Sequence, residues 1–174
     1  MRGYQYDVVV AGGGAAGVAA AVGARKAGAR TLLVERNPYL GGEATHSGVA
    51  AFCGFYTCGS NPVKVVDGVG GLVLKEMESL GPTLDYIVSP TGNKNINFQP
   101  EYLKCALDNL VEKEEVSCFL HTRIMRPRRK TGAMLDHLSD DEGVFAVEAS
   151  CFVDATGDAN LAHLCGAKTV WGDE

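Results

Sequence analysis

The sequence predicts an α/β fold in which a central parallel sheet carries helices on both faces. The first observation is an apolar, largely β-branched run at residues 6–11, which is typical of a strand buried on both sides of a parallel sheet. The second is the Ala-rich, proline-free segment 15–27, which ends at Gly28 and predicts a helix. The third is another buried strand pattern at residues 31–34. Strand, helix and strand within about 30 residues predict a βαβ unit with a right-handed crossover.

The middle of the chain alternates between loops and helices. Glycines interrupt any regular pattern between residues 37 and 66, which predicts loops. Helix patterns return at residues 70–80 and from Pro100 to about residue 115, where apolar residues recur on one face. Residues 83–99 between these helices are rich in turn formers and predict irregular structure.

The last third of the chain is rich in strand patterns. A strand is predicted at residues 116–120, and a short antiparallel meander follows at 121–126, 133–138 and 144–149. A buried strand at residues 151–154 then precedes a short helix that ends near Leu164. These segments complete one domain covering residues 1–174, with the meander attached to the parallel sheet.

The composition excludes several classes of protein. The 174 residues carry 16 Lys+Arg and 21 Asp+Glu, a net charge of −5, and 46% are hydrophobic. This balance is typical of a globular domain and argues against nucleic-acid binding, which depends on neutralising phosphates with basic side chains. No apolar run approaches the roughly 20 residues that span a membrane. Glycine is unusually frequent, with 22 residues, and the glycines cluster near the N-terminus.

A glycine motif at the first strand-helix junction indicates a dinucleotide site. Gly12, Gly14 and Gly17 have the GxGxxG spacing, and Glu35 closes the second strand at about the expected distance of roughly 20 residues. Gly12 allows a tight turn, Gly14 lets the backbone approach a pyrophosphate, and Gly17 lets helix and sheet pack closely. The helix N-terminus offers N–H groups to the phosphates, and Glu35 can accept hydrogen bonds from ribose hydroxyls. The alternative interpretation is a glycine-rich turn without a ligand.

The chain resembles the FAD-dependent oxidoreductases of the glutathione-reductase-like flavoprotein superfamily. Three stretches carry the resemblance: residues 8–35, residues 36–45, and the Val-Asp-Ala-Thr-Gly-Asp run at 153–158. NAD-binding dehydrogenases share the first stretch but typically lack the other two. The resemblance therefore implies a Rossmann-like FAD-binding domain with FAD as its cofactor.

The resemblance also implies which residues surround FAD. The Gly-Gly segment would wrap the pyrophosphate and lead toward the flavin, the strand near Ile124 would offer backbone groups to adenine, and Asp158 would bond the ribityl or pyrophosphate region. Two of these assignments have simpler alternatives, since Gly41 and Gly42 could form a plain turn and Asp158 a helix N-cap. The expected cofactor-binding residues are Gly12, Gly14, Ala15, Ala16, Gly17, Glu35, Arg36, Gly41, Gly42, Ala44, Thr45, Ile124, Ala155, Thr156, Gly157 and Asp158.

No catalytic residue can be named from the cysteines and histidines. Cys53 and Cys58 have the spacing of a redox disulfide in glutathione-reductase relatives. In those relatives, however, the first cysteine follows the Gly-Gly segment almost directly, whereas Cys53 lies well beyond Gly42. Pocket or core thiols are the favoured interpretation, and a redox pair is the alternative. His46 is the one histidine near the expected flavin face, as a polar wall or a catalytic group. His121, His137 and His163 are expected on strand or helix surfaces.

The remaining cysteines and charge runs have structural explanations. Cys105, Cys118 and Cys151 fall in apolar patterns and are expected to behave as small hydrophobic residues. Without a disulfide framework or signal peptide, the protein is expected to be reduced and cytoplasmic, and no metal site is predicted. A basic run and an acidic run are expected as solvated turns of the meander, with a docking patch as the alternative. They comprise residues 126–130, and Asp136, Asp140, Asp141 and Glu142.

Flavin-mediated hydride or electron transfer on an unidentified small-molecule substrate is the function that the resemblance implies. Two alternatives stay open: a FAD- or nucleotide-binding assembly subunit without a complete active site, and an NAD-dependent dehydrogenase domain. Relatives continue past the Ala-Thr-Gly-Asp motif into a substrate domain, whereas this sequence stops at Glu174. We therefore expect a fragment, or a subunit that another polypeptide or another copy completes by covering residues 46–70 and the end near Trp171.

Overall fold

A computed structural model describes residues 3–125, 127–130, 133–170 and 172 of the chain. The strands are β1 (Gly3–Ala11), β2 (Thr31–Val34), β3 (Ala51–Phe52), β4 (Leu84–Val88), β5 (Lys94–Phe98), β6 (Ser117–Phe119), β7 (Arg123–Ile124), β8 (Arg128–Lys130), β9 (Ala133–Asp140) and β10 (Gly143–Asp154). The helices are α1 (Ala15–Lys26), α2 (Val69–Ser79), α3 (Pro100–Lys113) and α4 (Asn160–Leu164), and a single 3-10 turn covers Gly42–Ala44.

The main sheet has a parallel half and an antiparallel half. Its strand order is β6-β2-β1-β10-β9-β7, and β8 also pairs with β9. The pairs from β6 to β10 are parallel, and those from β10 to β7 are antiparallel. The βαβ unit forms as predicted from β1, α1 and β2, and the mixed α/β class with an attached meander is confirmed.

Strand β10 joins the meander and the parallel sheet into one continuous element. Residues 143–149 pair with β9, and residues 146–154 pair with β1. Two separate strands were predicted here, at 144–149 and 151–154, and this division is wrong. Ser150 lies between them, and serine neither fixes φ as proline does nor removes the side chain as glycine does, so nothing ends the strand.

Two apolar cores lie on opposite sides of the parallel strands. One core combines β-strand residues such as Val10 and Leu33 with α1, α2 and α3, which contribute Val22, Met77 and Leu110 among others. The buried residues of the second core all come from strands, with Phe145 as its largest side chain. The three long helices thus share one core, which corrects the prediction of helices on both faces of the sheet, whereas strand residues, many of them from the meander, build the other.

A second, smaller sheet contains a hairpin that the sequence interpretation missed. Its order is β3-β5-β4, and both strand pairs are antiparallel. The stretch 83–99 was expected to be irregular, yet Ile96 is fully buried and Phe98 is 7% exposed. Burial of these two alternate side chains, with Phe98 in the helical core, outweighs the poor strand propensity of their Asn and Lys neighbours.

The charge runs of the meander are only partly turns. Residues 128–130 of the basic run form β8 and pair with β9, and Asp136 lies within β9, so the predicted turns are misplaced there. Arg126 and residues 131–132 lie outside the described residues. The acidic tip is confirmed, because Asp141 and Glu142 are exposed between β9 and β10. No helix in the described ranges is long and apolar enough to cross a membrane.

Candidate functional site

Gly12 lies where the carboxyl ends of β1, β2 and β10 meet. The Gly12 N–H donates to the Val34 carbonyl at 2.8 Å, and the Ala155 N–H donates to the Ala11 carbonyl, also at 2.8 Å. Its φ is +97°, and a Cβ placed there would lie 2.3 Å from the Ala155 carbonyl oxygen. Both the left-handed backbone and the close approach of the neighbouring strand therefore require glycine, as the tight-turn role predicts.

Gly17 brings α1 directly onto this turn. A Cβ at Gly17 would lie 1.7 Å from the Gly12 carbonyl oxygen and 3.4 Å from Ala155 Cβ. Any side chain would push the helix away from the sheet, so the predicted packing role agrees with the contacts. The two outer glycines of the motif are thus explained by the fold itself.

Gly14 differs from them because the fold alone does not require a glycine there. It caps α1 with an extended backbone (φ −72°) and no side-chain hydrogen bond. The nearest atom to a Cβ at this position is Gly42 Cα, at an ordinary 3.9 Å. Ala15 and Ala16 follow at the exposed first turn, whose N–H groups have no partner within the helix. This leaves a cradle of N–H donors that fits a pyrophosphate.

The Gly41–Gly42 segment packs against the first glycine turn. The Gly41 N–H donates to the Gly13 carbonyl at 2.8 Å, and a Cβ on Gly42 would lie 3.0 Å from Gly14 Cα. The segment is a turn, as the simpler alternative proposed, but a turn that forms the second side of the cradle. Ala44 belongs to its 3-10 turn.

Thr45 holds this turn in shape. Its side chain is 7% exposed, and the hydroxyl donates to the Leu40 carbonyl at 2.7 Å. A Cβ on Gly41 would overlap Thr45 Cγ2 at 2.4 Å. The hydroxyl expected near the cofactor is therefore engaged inside the turn, as is the Thr45 N–H, which donates to the Gly42 carbonyl at 3.1 Å.

Glu35 is buried beside the first glycine turn. It is 6% exposed, and its carboxylate accepts hydrogen bonds from the Gly13 N–H at 2.6 Å and the Asn37 N–H at 2.8 Å. A carboxylate has about four lone-pair positions, so two remain for ribose hydroxyls. The two backbone donors fix the group at the end of β2, as the motif requires.

A cleft of about 300 Å³ adjoins Glu35 at the ends of the parallel strands. It brings together five predicted residues, namely Gly12, Glu35, Arg36, Ile124 and Thr156. Arg123 belongs to the strand expected near adenine. The other lining residues were not predicted: Ala11, Val34, Thr122, Asn160, Leu161, His163 and Leu164. The cleft and the cradle are adjacent through Gly12, so together they could hold the adenosine and pyrophosphate parts of one ligand.

Asp154, for which no role was predicted, organises the last motif. The Asp154 carboxylate accepts the Thr156 N–H at 3.0 Å, the Thr156 hydroxyl at 2.7 Å and the Ala162 N–H at 2.8 Å. Burial opposes ionisation, but these bonds and one from Leu161 outweigh it and hold the pKa of Asp154 below its ordinary value.

Asp158 and Gly157 lie on the open side of this motif. Both are exposed, and Gly157 has a φ of +86°. The N-cap residue of α4 is Ala159, without a side-chain cap bond, so the helix-cap alternative for Asp158 is wrong. Contact of Asp158 with a cofactor stays a prediction.

Cys118 is half-buried, and the other five cysteines are exposed. All six cysteines are free, and the Cys58 thiol donates to Asn93 Oδ1 at 2.8 Å. Cys105 and Cys151 are exposed, which corrects the prediction that they act as core residues. Burial, with smaller effects from Asp108 and Glu35, raises the pKa of Cys118 to about 11.

The expected histidine positions are partly confirmed. His46 is exposed after the Gly-Gly turn, where its Nδ1 lies 3.5 Å from the Tyr39 hydroxyl. His121 and His163 are exposed, as predicted, whereas His137 is half-buried in β9.

Curated proteins match a short part of the chain at 50% identity. A 48-residue segment is 50% identical to the soluble pyridine nucleotide transhydrogenase of Ectopseudomonas mendocina and covers 28% of this chain and 10% of that protein. A 48-residue match to the 3-oxosteroid 1-dehydrogenase of Mycolicibacterium smegmatis is also 50% identical and covers 28% and 8%.

Solved structures share the fold over nearly the whole chain. The p-nitrophenol 4-monooxygenase of Pseudomonas putida has a TM-score of 0.66 at 12% identity, and the match covers 95% of this chain and 44% of that one. A geranylgeranyl bacteriochlorophyll reductase-like protein from Thermoplasma acidophilum gives 0.63 at 18%, covering 98% and 44%. The chain thus spans less than half the length of these proteins.

The family is shown by a match over most of the sequence. The model of the FAD dependent oxidoreductase family matches residues 7–174. This range contains both glycine turns, Glu35, the cleft and the Asp154 motif, and the cradle has the room and the donors that FAD needs. The chain belongs to the FAD dependent oxidoreductase family, and its cofactor is FAD.

Proposed function

We propose that this chain binds FAD for flavin-mediated hydride or electron transfer on a small-molecule substrate. One observation carries the proposal. Two glycine turns and the N-terminus of α1 converge on one cradle, and the 300 Å³ cleft beside Glu35 continues from it. This combination fits a ligand that has a pyrophosphate joined to an adenosine.

Each part of the ligand would meet a different part of the chain. The N–H groups at Gly14, Ala15 and Ala16 would hold the pyrophosphate, and the fixed carboxylate of Glu35 would accept hydrogen bonds from the adenosine ribose. The cleft near Ile124 would hold adenine, while Gly157 and Asp158 would lie toward the ribityl chain. When bound, FAD supplies the redox chemistry, and the protein positions it.

The proposal places the chain in the glutathione-reductase-like superfamily and in a reduced, cytoplasmic setting. The three sequence stretches support the first point. The six free thiols are compatible with the second.

A further polypeptide is part of the proposed function. From Thr57 to Gly68 every residue except Pro62 is exposed, including Val63 at 62% and Val65 at 61%. Exposed valines that lie close together beside a cofactor site are typical of a contact surface. We infer that another polypeptide or a second copy covers residues 46–70. The predicted contact near Trp171 lies outside the described residues.

The visible spectrum of the protein reconstituted with FAD tests the proposal. We expect flavin absorption bands that remain with the protein through gel filtration and bleach on photoreduction with a sacrificial donor. Bound flavin that cannot be reduced would favour the alternative of an assembly subunit. A protein that retains no flavin, in the presence of excess FAD, would overturn the proposal.

A further inference from the structure

Asp154 is tied to both sides of the loop between β10 and α4. One carboxylate oxygen accepts the N–H and the hydroxyl of Thr156, at 3.0 and 2.7 Å. The other accepts the Ala162 N–H at 2.8 Å, in the middle of α4. The side chain therefore connects the end of the sheet with a helix eight residues later.

The Thr156 hydroxyl extends this connection. The hydroxyl donates to the Asp154 carboxylate and accepts a hydrogen bond from the Asn160 N–H at 2.8 Å, so its donor and one of its acceptor positions are occupied. Thr156 and Asn160 line the cleft, as do three further residues of α4. Asp154 itself does not line the cleft, and it acts on it only through these neighbours.

The Asp154 carboxylate supplies a hydrogen bond to α4, which has no side-chain cap of its own. The helix has five residues, and its N-cap, Ala159, has a φ of +54° and no side-chain cap bond. A helix this short is not stable by itself in water. Besides the packing of Leu161, which is 3% exposed, the bonds to Asp154 and Thr156 hold the helix against the end of β10.

We propose that Asp154 and Thr156 form a positioning pair that holds the α4 wall of the cleft in the geometry required for the adenosine part of the cofactor. This inference rests on the proposed function, because it assigns the cleft to adenosine. The pair acts through α4 and not by contact of Asp154 with the ligand.

Binding of ADP and of FAD to the purified chain tests the proposal. ADP probes the cleft and cradle without the flavin, so we expect Asp154→Asn to weaken ADP and FAD by the same factor, about tenfold or more. Asp85→Asn, which removes an exposed carboxylate on β4, serves as the matched control and should change neither affinity.

Thr156 provides a milder second test if Asp154→Asn fails to fold. Thr156→Val keeps the shape but removes the hydroxyl, and it should also weaken both ligands equally. Thr156→Ser restores the hydroxyl and should recover the affinity to within about twofold. A merely structural role would lower the unfolding temperature without this pattern of loss and rescue.

The possible outcomes distinguish a failure of this inference from a failure of the proposed function. Folded Asp154→Asn and Thr156→Val variants with unchanged ADP and FAD affinities would overturn the positioning role alone. A loss for FAD without a loss for ADP would also overturn it, because the pair would then act on the flavin half. Wild-type protein that binds neither ligand would overturn the proposed function together with this inference.

Discussion

Gly17 and Gly23 lie on the same helix but in different surroundings. A Cβ at Gly17 would lie 1.7 Å from the Gly12 carbonyl oxygen, whereas a Cβ at Gly23 meets nothing within 4 Å. We expect Gly17→Ala to lower the free energy of unfolding by at least about 2 kcal/mol, because the backbone must move. Gly23→Ala should raise it by about 0.5–1 kcal/mol through helix propensity. Urea unfolding measures both, and equal effects would contradict the close packing of α1 on the first glycine turn.

Glu35 has a role that depends on its charge. Glu35→Gln keeps its size but turns an amide N–H₂ toward either Gly13 or Asn37, whose N–H groups both donate to the carboxylate. We expect ADP binding to weaken by about 1.5–3 kcal/mol, since a charge-assisted ribose bond and its support are lost. Calorimetric titration with ADP measures this, and Glu112→Gln on the exposed side of α3 is the control. Wild-type affinity in Glu35→Gln would refute the ribose role.

Residue roles were predictable where they depend on local spacing. Gly12, Gly17 and Glu35 are fixed by one strand-helix-strand unit, and their contacts agree with the motif. The structural role of Asp154 was not predicted, because its hydrogen bond to Ala162 depends on the folded position of α4. Asn160 and His163 join the cleft through α4, whose placement no local pattern encodes.

At the scale of elements, the sequence predicted the helices, whose apolar residues recur regularly, and missed the strands that depend on tertiary packing. The helices α1, α2 and α3 end within about two residues of their predicted bounds. The hairpin of β4 and β5 was missed, because the turn formers around it outweighed the strand formers Tyr86, Ile87 and Val88, and β5 has only Ile96 and Phe98 among polar residues. The single long strand β10 was divided, because a serine between two apolar runs was taken for an end.

The attachment of α4 depends on pH. The pKa of Asp154 is lower in the folded protein than in the unfolded chain, so the unfolded chain binds a proton first as the pH falls. The stabilisation from Asp154 is therefore present at neutral pH and is lost as the pH falls below about 4, toward the folded pKa. The difference in unfolding free energy between wild type and Asp154→Asn should be largest near pH 7 and shrink in acid. A difference that is constant from pH 7 to pH 3 would contradict this role.

At the scale of the whole molecule, the chain carries a binding site beside a segment with three exposed valines, Val63, Val65 and Val66. We expect the purified chain to self-associate or to bind a separate polypeptide through residues 46–70. Size exclusion with light scattering measures the self-association. Val63→Asp combined with Val65→Asp should shift the chain toward the monomer, whereas Val144→Asp, on the exposed start of β10, should not. A monomeric wild-type chain that holds FAD and turns over a substrate alone would refute the need for a cover.

Calorimetric titration of FAD into the wild type and into Gly14→Val tests the central claim most directly. Gly14 has room for a side chain in the protein itself, since its Cβ would lie 3.9 Å from the nearest atom, but a valine would occupy the space of the pyrophosphate. The account predicts one FAD per wild-type chain, a loss of affinity of about 100-fold or more in Gly14→Val, and unfolding free energies within about 1 kcal/mol of each other. Wild-type affinity for FAD in a folded Gly14→Val variant would contradict it.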